Sequence, residues 1–119
     1  MTKQELENRL INFASNIIQL TAHYEDSYAG RHPASQIIRS ATSPALNYGE
    51  AQNAESHKDF VHKMGICTKE LKETFVNLKI VEQACLVKNN IDIIELKTEV
   101  NELISIFVAS IKTLKGNLK

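Results

Sequence analysis

Residues 60–85 read FVHKMGICTKELKETFVNLKIVEQAC, and along them Phe60, Met64, Cys67, Leu71, Thr74, Leu78, Val81 and Cys85 recur at alternating steps of four and three without a slip. Steps of that size hold side chains on one side of an α-helix, whereas a half-buried strand would need alternation by two. The stretch is therefore predicted to be one long amphipathic helix. Ser56-His57-Lys58-Asp59 opens it in the manner of a capping box, with Ser56 accepting from the first turn and Asp59 answering it. Cys67 and Cys85 would then lie about 27 Å apart on one helix, too far to pair within a chain, and both are expected to serve as free thiols in the core.

Three similar stripes flank it. Leu6, Leu10, Phe13, Ile17, Leu20 and Tyr24 keep the same spacing, and Glu5 with Arg9 suggests an exposed pair one turn apart. Gly30 is expected to end this first helix in the left-handed region, and Pro33 to open the second. The second helix carries the small set Ala34, Ile37, Ala41, Ala45 and Tyr48, which lets its neighbours approach closely. Pro44 interrupts that run, freeing the Ser40 carbonyl at a cost of about 3 kcal/mol. A kink rather than a stop is predicted there, because the apolar phase continues through Tyr48. After a break at Lys88-Asn89-Asn90, with Asn90 the expected N-cap, a fourth helix carries Ile93, Leu96, Val100, Leu103, Ile104, Phe107, Ile111 and Leu114. Short connections imply antiparallel neighbours. The fold class is thus all-α: an antiparallel up-down-up-down four-helix bundle, second helix kinked at Pro44, as one domain over 1–119.

Composition narrows the function classes. With 43% apolar residues the chain can close one core, and its 14 basic residues balance its 14 acidic ones. A zero formal charge supplies no broad field for holding phosphate backbones. The first residues resemble no signal peptide, and no apolar run approaches the roughly 18 residues of a membrane span, so a cytoplasmic protein without membrane contact is expected.

Two helices carry apolar residues that a bundle core does not require. On the first, Ile11, Ile18 and Ala22 lie well round from the core stripe; on the third, Val76, Ile80, Ala84 and Val87 lie nearly opposite theirs. A helix apolar on both sides is usually covered on both sides, so homo-oligomerisation is expected, with charge at Ile80 as the change that should break it. The alternative is scattered surface aliphatics without consequence.

The search for chemistry finds no catalytic motif. There is no Glu-x-x-His pair of the kind that places metals inside bundles, and His57 and His62, five residues apart, face different sides of a helix. Glu95, Glu99 and Glu102 share one side of the fourth helix and read as a solvated face. The four glycines are isolated, so no phosphate loop is formed. No enzyme activity, cofactor or metal is expected. One polar constellation does stand out: Arg39, Ser43, Asn47 and Glu50 fall within an arc of about 80° on the second helix. It reads either as a solvent face or as a strip that meets another subunit or partner.

The same segment carries a resemblance. Gln36-Ile37-Ile38-Arg39-Ser40-Ala41-Thr42-Ser43-Pro44-Ala45-Leu46-Asn47-Tyr48-Gly49-Glu50-Ala51, followed by Lys58-Asp59-Phe60 and by Glu70, resembles the bacterial four-helix-bundle family named for 23S rRNA intervening sequences. The resemblance spans the whole helix layout, and its specific motif covers the middle third. It marks Arg39, Ser40, Ser43, Asn47, Glu50, Lys58 and Asp59 as signature positions and implies ring-like homo-oligomers, commonly pentamers. A related branch, accessory proteins of diversity-generating retroelements, is similar in fold and binds nucleic acid through a strongly basic surface; this chain differs in being charge-neutral.

Three function classes follow. The leading expectation is a non-enzymatic oligomeric scaffold or adaptor for a macromolecular partner. Its rival is an RNA- or DNA-binding module that gathers lysines such as Lys112, Lys115 and Lys119 around a ring. The third is an enzyme assembled between subunits.

Overall fold

A computed structural model describes residues 1–88 and 90–116. The side chains of Asn90 and Ile91 also lie outside the described residues, as do the cap expected from Asn90 and the charge of Lys119. Four α-helices follow one another: α1 (Lys3–Thr21), α2 (Tyr28–Ala51), α3 (His57–Gln83) and α4 (Asn90–Gly116). Each packs on the next and α1 closes onto α4, making an all-α four-helix bundle of 49 × 23 × 21 Å.

Each of the first three helices starts at a side-chain cap. Thr2 and Glu5 form a complete capping box on α1: the Glu5 amide donates to the Thr2 hydroxyl at 3.1 Å, and the Thr2 amide donates to the Glu5 carboxylate at 3.0 Å. Glu5 is therefore a cap, and Arg9 is left for another partner. Ser56 caps α3 as expected, accepting from the Asp59 amide at 3.0 Å. Asp59 does not answer Ser56; its carboxylate accepts from the Glu55 amide at 3.4 Å.

The first two helices divide differently from the sequence expectation. Helix α1 stops at Thr21, and Ser27 caps α2 by accepting from the Gly30 amide at 3.1 Å. Gly30 consequently sits in the first turn of α2 and Pro33 one turn further in, so neither marks the boundary assigned to it. No glycine has a positive φ among the described residues, and what Gly30 supplies is space: a Cβ there would lie 1.9 Å from the Glu25 carbonyl oxygen. Helix α2 runs through Pro33 and Pro44 to Ala51, each proline withholding one backbone amide hydrogen from the helix.

Polar contacts fix the relative direction of neighbours. Along α2, Pro33, Ser40 and Pro44 meet Asn77, Thr74 and Cys67 in turn, so α2 and α3 run in opposite directions. Lys97 with Glu82 and His57 with Leu114 give the same result for α3 and α4. Phe13, Ile17, Ile37, Leu71, Leu78, Ile93, Val100 and Phe107 are almost wholly buried between the helices, and Tyr48 meets Phe107 edge-on at 5.8 Å.

The loops at one end are joined. Tyr24 and Val87 form an antiparallel bridge, the Glu25 amide donating to Leu86 at 2.7 Å and the Lys88 amide to His23 at 3.2 Å. Val87 is 7% exposed as a result, which removes it from the second apolar stripe of α3. That stripe ends where the helix does. Periodicity alone placed Val87 on the outer face, but once the chain leaves the helix the 100° rule no longer applies.

Cys85 departs from expectation for the same reason. It is in phase with the core stripe yet follows the end of α3, and it is exposed. Its φ of 57° is left-handed, its amide donates to Glu82, and the Leu86 amide donates to Val81, which together form a Schellman cap. A cysteine in place of the usual glycine there costs roughly 1–2 kcal/mol of backbone strain. Only Cys67 is the buried core thiol expected of both.

Candidate functional site

Three of the signature residues, Arg39, Ser40 and Glu50, reach across the seam between α2 and α3. Arg39 reaches across to Glu70 at 2.9 Å and to Glu73 at 2.8 Å, with the Glu70 side chain 11% exposed. The hydrogen bond that Arg39 donates holds the Glu73 carboxyl below its ordinary range, and the same bond raises Arg39 further. Ser40 is buried with its hydroxyl 2.8 Å from that of Thr74, whose oxygen is also 2.9 Å from the Glu70 carbonyl. Asn47 donates to the carbonyl and hydroxyl of Ser43 at 3.0 and 2.8 Å, tying two neighbours on one helix. Lys63 bridges Glu50 at 3.9 Å and Asp59 at 3.8 Å.

Six of the seven signature positions are therefore engaged within the chain. The exception is Lys58, which is exposed and lines a groove along α3 that Arg39 and Ser40 also border. Sequence reasoning found the strip but not its partners. Thr74, a polar residue on an otherwise apolar stripe, was the available signal for a buried hydroxyl pair.

The outer apolar residues are where the spacing placed them, with Val87 excepted. Ile11 and Ile18 are each 46% exposed, Val76 48% and Ile80 55%, and Ala22 and Ala84 are exposed beside them. Helix α4 adds Ile94 and Val108, which the sequence reading assigned to no face.

These two apolar faces differ in charge. Between Asn8 and Ala22 the only charged residue is Arg9, and it turns away to α4, donating to Glu99 at 3.0 Å and Glu102 at 2.8 Å. Glu99 and Glu102 therefore link helices rather than forming a purely solvated face. The outer side of α1 is left with Ile11, Ile18 and Ala22 among the exposed, uncharged Asn12, Ser15, Asn16 and Gln19.

The outer side of α3 is instead a groove of about 1240 Å³ lined along its length by Lys58, Lys69, Lys72 and Lys115 and by the aliphatic Val61, Ile66, Val76, Ile80 and Ile111. Lys58, Lys72 and Lys115 make no ion pair among the described residues, while Lys63 and Lys97 do. Glu73, the one acid among the described residues that line the groove, is already held by Arg39. A smaller groove of about 460 Å³ between α1 and α4 has the opposite character, with Asp92, Glu95 and Glu99 and, among the described residues, neither lysine nor arginine.

The remaining reactive groups are dispersed. Burial pushes the Cys67 thiol up to about 12, and its hydrogen goes to the Pro44 carbonyl at 3.4 Å. The His57 ring lies 3.1 Å from the Leu114 carbonyl, and His62 is exposed in the α3 groove. Among the described residues no three His, Cys, Asp or Glu side chains are grouped so as to hold a metal ion. None of the described helices is long and apolar enough to cross a membrane.

Comparison with known proteins agrees with this architecture. A crystal structure of a protein of unknown function from the S23 ribosomal protein family of Bacteroides thetaiotaomicron is similar at 25% identity and a TM-score of 0.83, covering 94% of this chain and 99% of that one. No curated protein matches. The model of the family described as 23S rRNA-intervening sequence protein matches residues 2–109, nearly the whole bundle with its α2 signature, and the chain belongs to that family.

Proposed function

We propose that this protein is a non-enzymatic scaffold that self-associates and presents a second surface to a macromolecular partner. The observation that carries the reading is the outer face of α1, where Ile11 and Ile18 are 46% exposed and no charged side chain stands between them. Interface centres are depleted of charge in this way, whereas ordinary helix exteriors are not. The groove on α3 is the partner surface, because a rim of lysines favours contacts that form and dissolve over a permanent dry interface between like copies. A ring of five is the assembly that the family resemblance implies.

Light scattering on the purified chain tests the reading. The expected mass is a multiple of 13.4 kDa that persists to micromolar concentration. A particle of one chain mass at every concentration would remove the scaffold reading.

A further inference from the structure

We propose that the outer groove of α3 is a docking cleft for an acidic amphipathic α-helix of a partner protein. The inference deepens the scaffold reading and rests on it for the premise that this face is a working surface. Four observations support it.

The first is charge. Lys58, Lys69, Lys72 and Lys115 converge on the groove from α3 and α4, and the one acid present is neutralised by Arg39. A chain with zero formal charge has thus gathered cations on one side. The second is the apolar floor: Val76 at 48% and Ile80 at 55% exposure need anchors of their own kind. Cations and aliphatic side chains sharing one groove complement a helix with an apolar face and acidic residues beside it.

The third is shape. From Lys58 to Ile80 the face runs about 33 Å, the length of a helix of roughly 20 residues. Gly65 lies along it, and a Cβ there would meet nothing within 4 Å, so a second helix can approach the α3 backbone closely. The fourth is what the lining omits. Among the described residues His62 is the one ring lining the groove and no phenylalanine or tyrosine does, although stacking on such rings is how proteins commonly hold unpaired bases. An acidic helix therefore fits better than RNA or single-stranded DNA.

The test uses three fluorescent probes followed by anisotropy: a 20-residue amphipathic helix with leucines on one face and glutamates beside them, the same peptide with lysines for glutamates, and a single-stranded RNA of similar length. The glutamate peptide is expected to bind alone, weakening about tenfold as salt rises and exposed charges are screened. Lys69→Glu with Lys72→Glu should weaken it a further tenfold or so, and Ile80→Asp should do the same without touching a lysine.

Circular dichroism checks that these variants stay folded, and Lys58→Glu with Lys115→Glu supplies a second pair should the first unfold. Equal binding of both peptides, preference for RNA, or indifference to all variants would overturn the proposal. Collapse of the assembly to single chains in Lys69→Glu with Lys72→Glu would also overturn it, by showing that a second copy covers the groove. Light scattering on the unmodified chain reads self-association separately, so failure of the scaffold reading and failure of the docking cleft give different results.

Discussion

The two long sides of helix α3 face different demands. Toward α2, its polar groups are matched inside the chain: Glu70 and Glu73 by Arg39, Thr74 by Ser40, Asn77 by the Pro33 carbonyl and Cys67 by the Pro44 carbonyl. Toward solvent, Lys58 and Lys72 stand without ion partners among the described residues, on the groove that exposed Val76 and Ile80 also line. The inner side satisfies what the fold needs, since a buried polar group without a partner costs about 1–3 kcal/mol. The outer side carries features that the isolated bundle does not use. Arg39, Ser40 and Glu50 are the signature positions that meet this inner side, and they help to pack α2 on α3.

Substitutions on opposite sides of the helix should separate the two most widely. Leu71→Ala, at a wholly buried position, is expected to cost about 2–5 kcal/mol in urea unfolding. Ile80→Asp on the outer side should change stability by no more than about 0.5 kcal/mol. Similar losses at both positions would end the distinction. Next in size is Thr74→Val, which keeps the volume and leaves the Ser40 hydroxyl without that partner, for a loss of about 1–3 kcal/mol; adding Ser40→Ala should return part of it.

The two cysteines repeat the contrast in chemistry. Cys85 should react at once with a thiol reagent in the native protein, and Cys67 only as the chain unfolds. Below pH 9 both folded and unfolded chains keep the Cys67 proton. From the ordinary thiol value of 9.0 to about 12, the unfolded chain releases the proton while the native one holds it, so this group lowers stability as pH rises through that window. The slope can reach about 1.4 kcal/mol per pH unit. A Cys67→Ala variant should show a shallower alkaline limb, whatever its stability at neutral pH.

Arg39→Ala should have a small effect on stability, at most about 1 kcal/mol, because its side chain is 54% exposed. Its sign with pH follows from Glu73, whose carboxyl is held low in the fold. The contribution is present above the unfolded carboxylate value and is lost as pH falls through the folded one, so wild type and variant should converge in acid. A larger effect on assembly than on stability would move Arg39 from the seam to an interface.

Four in-phase stripes were enough to read the bundle, because helix periodicity survives whatever the tertiary contacts are. The boundaries were harder. Gly30 and Pro33 carry strong start and stop preferences, yet the Ser27 hydroxyl captured the helix start well before Pro33, and Gly30 answers instead to the Glu25 carbonyl pressed against it. Cys85 and Val87 continue the expected phase after the helix has ended, where a Schellman turn and a bridge to Tyr24 set their directions.

The site was legible in part. The exposed aliphatics of α1 and α3 follow from spacing along single helices. The Arg39 partners, the Arg9 link to α4 and the presence of Lys115 on the groove of α3 do not, because each depends on which helix lies alongside at which height.

Sedimentation of the wild-type chain beside Ile18→Glu at matched concentration tests the assembly reading most directly. The expected result is a wild-type particle several times 13.4 kDa and a variant at 13.4 kDa with an undiminished helical signal. Equal masses for the two, whether of one chain or of many, would contradict it.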